Sequence, residues 1–206
     1  MAKKTDDETL SPFNYLHKTS HLSRTRFEAN FSDFEFALHH IHEAFRRWSV
    51  ELNASITGES LPLQDVSVLQ VLRMRDRPKS GSEIAQALNR DDTANVAYTL
   101  KKLERLGLVE RAAGTPQSQT VYAVTEEGRR ATDYYAVLRR ELLLSLLPEE
   151  PGFEETLEKA TKLLITLTGL YDHAARRTGM YRPTDAGLDR VPGDGAPIEA
   201  EAPAES

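Results

Sequence analysis

A chain of 206 residues, 39% hydrophobic and 28% charged, has the balance of a globular protein of one domain with extensions. No apolar run approaches the roughly 20 residues that cross a bilayer, which excludes membrane-spanning functions. Met1 to Leu10 lack the apolar stretch of a secretory signal, so a cytoplasmic chain is expected. There is no cysteine, which excludes disulfide frameworks, Cys-ligated metal centres and thiol chemistry.

The formal charge of −6 argues against a nucleic-acid partner until its distribution is considered. Six acids and one base lie between Pro183 and Ser206, which leaves the rest of the chain at −1. Arg73 to Arg130 hold eleven bases and eight acids, a net +3. An acidic tail thus masks a mildly basic centre. Rich in Pro, Gly and Ala, residues 180–206 bury too little apolar surface to offset chain entropy and are expected to be disordered.

Residues 1–31 show no sustained period and are expected to be a partly ordered extension. Ser32 and Glu35 have capping-box spacing, which predicts a helix start at Ser32. Phe34, Leu38, Ile41, Phe45, Trp48 and Leu52 then follow at steps of three and four, the stripe of a long helix to about Ile56. Gly58 breaks it, and Pro62 opens a helix with Leu63, Val66, Leu69 and Leu72 inward. After Pro78, Ser80 and Glu83 form a second capping box, which predicts a short helix with Ile84, Ala87 and Leu88 inward. Asn89 to Asp92 are turn and N-cap types, and a further helix spans about Thr93 to Leu106, with Val96, Leu100 and Leu103 inward. Gly107 sits where a left-handed cap belongs. Two short helices joined by a tight turn are a helix-turn-helix.

The period then changes to two. Leu108–Ala112 and Gln119–Thr125 are strand-like and joined by a Gly-Thr-Pro turn, a β-hairpin. A helix from Glu126 to Pro148 carries Ala131, Tyr135, Leu138 and Leu142 in register. A last helix spans about Phe153 to Arg177, with Phe153, Leu157, Leu164, Leu167 and Tyr171 on one side. The long helices carry more apolar surface than such a domain covers, so a homodimer through them is expected. The fold class is mainly α: a winged helix-turn-helix over residues 32–179, with a small β-hairpin wing and long N- and C-terminal dimerisation helices.

This order of elements resembles the MarR family of dimeric winged-helix transcription regulators over about Ser32 to Arg177. Three segments carry the resemblance: Ser82-Glu-Ile-Ala-Gln-Ala-Leu88, Leu103-Glu-Arg-Leu-Gly-Leu-Val-Glu-Arg111 and Val124-Thr-Glu-Glu-Gly-Arg129. The sequence departs from the family at the wing, where Ala113–Gln119 carry no charge in place of an Asp-x-Arg, and at the Arg90–Asp92 turn, which is one residue longer. It resembles a divergent member. The resemblance implies a regulator, in the form of a ligand-responsive repressor, that binds a pseudo-palindromic operator in double-stranded DNA. It also implies a small aromatic effector.

On the Thr93 helix the 100° step puts Ala94, Asn95, Tyr98, Lys101, Lys102 and Arg105 outward. Asn reads base edges in the major groove, and Lys and Arg meet phosphates or guanine. An ordinary solvated helix face has the same composition, but the second helix before a wing is the recognition helix of winged-helix docking. Asn95 and Tyr98 are the expected base readers, and Lys101, Lys102 and Arg105, with Arg90 and Arg111, the phosphate contacts. Phe45 and Trp48 either line an effector pocket or pack in the dimer seam, which their spacing favours. His39, His40, His42 and Glu43 cluster without an HExxH motif, so no metal site is expected. No nucleophile elbow, phosphate loop or paired-carboxylate motif occurs, so neither enzyme activity nor a cofactor is expected. A winged-helix dimer acting as a protein-interaction adaptor is the rival reading, favoured by the uncharged wing and the acidic total.

Overall fold

A computed structural model describes residues 21–22, 25–112 and 120–179 of the protein. The acidic tail, most of the N-terminal extension and the wing loop lie outside these residues. The chain divides after Leu146 into two units. The first holds α1 (Arg26–Thr57), α2 (Leu63–Arg73), β1 (Lys79–Ser80), α3 (Gly81–Ala87), α4 (Thr93–Arg105), β2 (Val109–Arg111), β3 (Val121–Val124) and α5 (Glu126–Leu142). The second contains α6 (Phe153–Thr178). Among the described residues no helix is long and apolar enough to cross a membrane.

α1 does not start at Ser32. Its capping box is Thr25 with Glu28: the Glu28 backbone N–H donates to Thr25 Oγ1 and the Thr25 N–H to Glu28 Oε2, both at 3.2 Å. Ser32 is buried about two turns further on. Both pairs have the same spacing, and nothing between them breaks a helix, so propagation, which adds one hydrogen bond per residue fixed, runs back to the earlier box. The apolar stripe of α1 has two fates. Leu52 is in the core, with Trp48 and Ile56 packed on it, and the Trp48 ring meets Tyr135 of α5 edge-on at 5.7 Å. Ile41 and Phe45 remain 63% and 51% exposed. Gly58, at φ 72°, ends the helix in the left-handed conformation.

α2 is the hub of the core: Val66, Val68, Leu69, Val71 and Leu72 are all buried. Full burial of one such side chain stabilises by about 1.5–3 kcal/mol. Leu63, expected inward, is half-buried. Beyond the helix Arg75 and Asp76 both take positive φ, 60° and 43°, and turn the chain back. Lys79 secures this turn. Its Nζ donates to the carbonyl oxygens of Leu72, Met74 and Arg77 at 3.0, 2.5 and 3.2 Å, satisfying acceptors at the helix end and in the turn that follows. Burial, with a smaller contribution from Arg77, pushes the Lys79 ammonium below its ordinary pKa.

The sheet order is β1-β3-β2, antiparallel throughout, with Lys79 opposite Tyr122 and Val109 opposite Val124. The hairpin is where the period of two predicts it. β1 escapes a sequence reading, because two residues beside a proline carry no period. Ser80 ends β1 and caps α3 through the expected box, with Glu83 N–H to Ser80 Oγ at 3.2 Å and Ser80 N–H to Glu83 Oε2 at 2.8 Å. α4 ends as expected at Gly107, φ 71°, where Gly107 N–H donates to Glu104 O and Leu108 N–H to Leu103 O, both at 3.0 Å. α5 presses on the hairpin at Gly128, where a Cβ would stand 2.1 Å from the Leu108 carbonyl oxygen and 2.6 Å from Val124 Cγ1.

α6 spans nearly the expected residues but buries none of them. Leu157, Leu163, Leu164, Leu170 and Tyr171 are all exposed.

Candidate nucleic-acid interface

The interface is built around α4, and its placement starts in the turn before it. Asn89 takes φ 50°, and the Arg90 N–H reaches back to Ala85 O at 2.9 Å, which closes the end of α3. Asp92 then caps α4 by accepting the Asn95 backbone N–H at 3.0 Å. Val96, Leu100 and Leu103, spaced at four and three, are buried and anchor the helix on the core. That leaves Ala94, Asn95, Tyr98, Lys101 and Arg105 on the exposed side, as the 100° step predicts, with Tyr98 64% exposed.

Lys102 differs from expectation. It is half-buried, and its Nζ lies 2.7 Å from Oδ2 of Asp65 on α2, so it is the counter-ion of a carboxylate within the same unit. Asp65 is 5% exposed, and a buried carboxylate needs both a counter-charge and hydrogen bonds. Thr99, fully buried on the same face of α4, supplies the hydrogen bond from Oγ1 to Asp65 Oδ1 at 2.8 Å. Gln64, next to Asp65, donates from Nε2 to Asn95 Oδ1 at 2.5 Å and to Thr99 Oγ1 at 3.3 Å. Residues 95, 99 and 102 therefore form a polar seam against α2 at helical spacing. Sequence reasoning missed Gln64, Asp65 and Thr99. An acid in the first turn of a helix is the ordinary complement to the helix dipole, and nothing local ties it to a residue 37 positions away.

The other expected cations differ in their freedom. Lys101 and Arg105 are exposed and have no ion-pair partner among the described residues. Arg111 is exposed but sits 3.3 Å from Glu104 Oε1, an ion pair on the outside of the hairpin. Arg90 lies half-buried in the turn, with Nη1 shielded from solvent. Behind the helix-turn-helix a second cluster of charges braces the Arg75–Asp76 turn: Arg73 meets Asp133 at 3.0 Å, and Arg129 pairs with Asp76. The Arg129 guanidinium, by hydrogen bond first and charge second, holds the Asp76 carboxyl below the usual carboxylate range.

The two aromatic effector candidates part company. Trp48 is packed against the core and Phe45 is exposed, and neither lines the open cavity of about 470 Å³ that Ile56, Leu106, Leu108, Arg130 and Tyr134 help to form. Around His39, His40 and His42, Glu43 binds Arg46 at 3.0 Å. Among the described residues no group of three or more metal-ligating side chains comes together.

Residues 61–128 match the family model described as a winged helix DNA-binding domain. No curated protein matches the chain. Solved structures do: reduced AbfR bound to DNA, AbfR being a Staphylococcus epidermidis protein, aligns with a TM-score of 0.57 at 20% identity, over 72% of this chain and 99% of that one. A MarR-family regulator from Rhodococcus sp. RHA1 aligns with a TM-score of 0.53 at 21% identity, over 69% and 96%. The Staphylococcus aureus MepR–DNA complex aligns with a TM-score of 0.51 at 20% identity, over 65% and 96%. Residues 61–128 are thus similar to a winged helix DNA-binding domain, and the chain shares the fold of a solved MarR-family transcriptional regulator.

Proposed function

We propose that the protein is a transcription regulator that binds a two-fold symmetric duplex site as a homodimer, with α4 of each copy in a major groove. The sidedness of α4 carries this reading: a buried apolar stripe holds the helix, while Asn95, Tyr98, Lys101 and Arg105 are exposed beside a β-hairpin. Two of the proteins sharing its fold, AbfR and MepR, are solved as complexes with DNA, which supports the same use here. Asn95 and Tyr98 read bases, with Ala94 admitting close approach. Lys101 and Arg105 meet phosphates, with Arg90 and Arg111 at the flanks. Lys102 serves the interface indirectly, by fixing α4 to α2.

The second copy is called for by apolar faces that the single chain leaves in water, Ile41 and Phe45 on α1 and Leu157, Leu164 and Tyr171 on α6. Regulation as a repressor follows if a small aromatic molecule, held in the cavity beside Arg130 and Tyr134, prefers a head separation unsuited to two grooves one turn apart. The test is selection of bound fragments from genomic DNA, followed by footprinting and a salt titration. A symmetric footprint and an affinity that falls steeply with salt are expected. Duplex binding without either result sinks the reading in favour of an adaptor that recognises protein.

A further inference from the structure

We infer that Gln64, which lies on α2 outside the helix-turn-helix, sets the sequence preference of the protein by fixing which way the Asn95 carboxamide faces. This rests on the reading of α4 as the recognition helix, and it adds to that reading a residue that no recognition-helix pattern contains.

The argument is one of hydrogen-bond direction and begins at the buried end. Asp65, paired with Lys102, is an ionised carboxylate and can only accept. Thr99 Oγ1, 2.8 Å from Asp65 Oδ1, must therefore spend its single hydrogen there and present lone pairs to anything else. Gln64 lies 3.3 Å away, so the atom it turns to Thr99 has to be the donor Nε2. Nε2 has a second hydrogen, and 2.5 Å from it stands the Asn95 side chain, which must meet a donor with its acceptor, Oδ1. The remaining pairing, Asn95 Nδ2 to Gln64 Oε1, is long at 3.4 Å, so Nδ2 is the less committed end of the amide.

An isolated exposed Asn exchanges its O and N by a half-turn of the amide and offers either a donor or an acceptor to a base edge. Here that half-turn would put two donors, Asn95 Nδ2 and Gln64 Nε2, face to face at 2.5 Å and two acceptors, Asn95 Oδ1 and Gln64 Oε1, at 3.4 Å. The chain Asp65–Thr99–Gln64–Asn95 removes the ambiguity. Asn95 keeps one lone pair on Oδ1 and the hydrogens of Nδ2 in a set order, which is what selection among base edges with distinct donor and acceptor patterns requires. Asn95 is the residue that touches the base, and Gln64 is its positioning residue.

The experiment is selection from a randomised duplex pool with the full chain in five forms: wild type, Asn95→Ala, Gln64→Ala, the double variant of these two and Gln64→Glu, each checked by its thermal midpoint. The wild type is expected to enrich a site with one base pair per half-site that Asn95→Ala no longer distinguishes. Gln64→Ala should lower discrimination at that same base pair by about tenfold, within the range of a single base contact, and should add nothing on top of Asn95→Ala. Gln64→Glu keeps the shape but presents only acceptors, so it should draw Nδ2 inward and change the preferred base at that position. If Gln64→Ala weakens all duplexes alike, or leaves the Asn95 position untouched while Asn95→Ala relaxes it, the positioning role is overturned and the regulator reading stands. A wild type that enriches no sequence overturns both.

Discussion

α4 and α6 are both amphipathic helices with an apolar stripe at helical spacing, and they end in opposite environments. In α4, Val96, Leu100 and Leu103 are buried against the rest of the first unit. In α6 the corresponding stripe of Leu157, Leu164 and Tyr171 is left in water. α1 repeats the contrast within one helix, with Leu52 in the core and Ile41 and Phe45 exposed. Period alone therefore tells that a face wants a partner. Whether that partner is the same chain or a second copy depends on what the fold brings to it.

Mutations at matched positions sharpen this contrast. Leu100→Ala should cost about 2–5 kcal/mol in denaturant unfolding, since a leucine truncated in a closed core loses its transfer energy and leaves a cavity. The cost should not vary with protein concentration. Gly128→Ala should follow at about 1–3 kcal/mol or somewhat more, because its Cβ would strike the Leu108 backbone carbonyl, which has little freedom to move. Circular dichroism melts would read both. Phe45→Asp and Leu164→Asp should do the reverse, leaving the fold of the monomer intact while abolishing association, which light scattering measures. For the wild type the melting temperature should rise with protein concentration, as mass action requires of a dimer, and in these variants it should not. A wild type that is monomeric at micromolar concentration would break the comparison, since the exposed stripes of α1 and α6 would then be surfaces for something else.

Smaller effects come from the caps and charges that hold α3 and the turn before it in place. Ser80→Ala removes one half of the α3 capping box and should cost about 1 kcal/mol. Its partner Glu83 is held below its ordinary pKa by the Ser80 backbone N–H first and Arg77 second. A depressed carboxyl contributes stability that is complete above its unfolded pKa and is lost as the pH falls through the lower folded value. Asp76, depressed by Arg129, has the same sign. Both groups are exposed, so the acid loss should be slight, should shrink at high salt and should be weaker still in Glu83→Gln. Chemical unfolding across the acid range in low and high salt checks it.

Much of the fold was legible because its signals are local. A capping box joins residues three apart, a left-handed cap needs one glycine, and a stripe repeats within two turns; Ser80–Glu83, Gly107 and the outward Asn95–Tyr98 pair were readable for that reason. Ser32–Glu35 shows the limit of such signals, since an equal box at Thr25–Glu28 sits on the same uninterrupted helix and longer propagation wins. β1, with two residues, has no period to read.

The interface residues divide along the same line. Which side chains of α4 point outward is settled by helical geometry and is written in the sequence. Which of them are available is settled by the neighbour across the seam, and the partners there lie 31 to 37 positions away: Gln64 for Asn95, Asp65 for Thr99 and Lys102. Lys102 and Lys101 are adjacent and chemically identical, yet one neutralises a buried carboxylate and the other faces solvent. A charge is drawn to whichever opposite charge the fold desolvates beside it, and only the packing of α2 on α4 decides where that is.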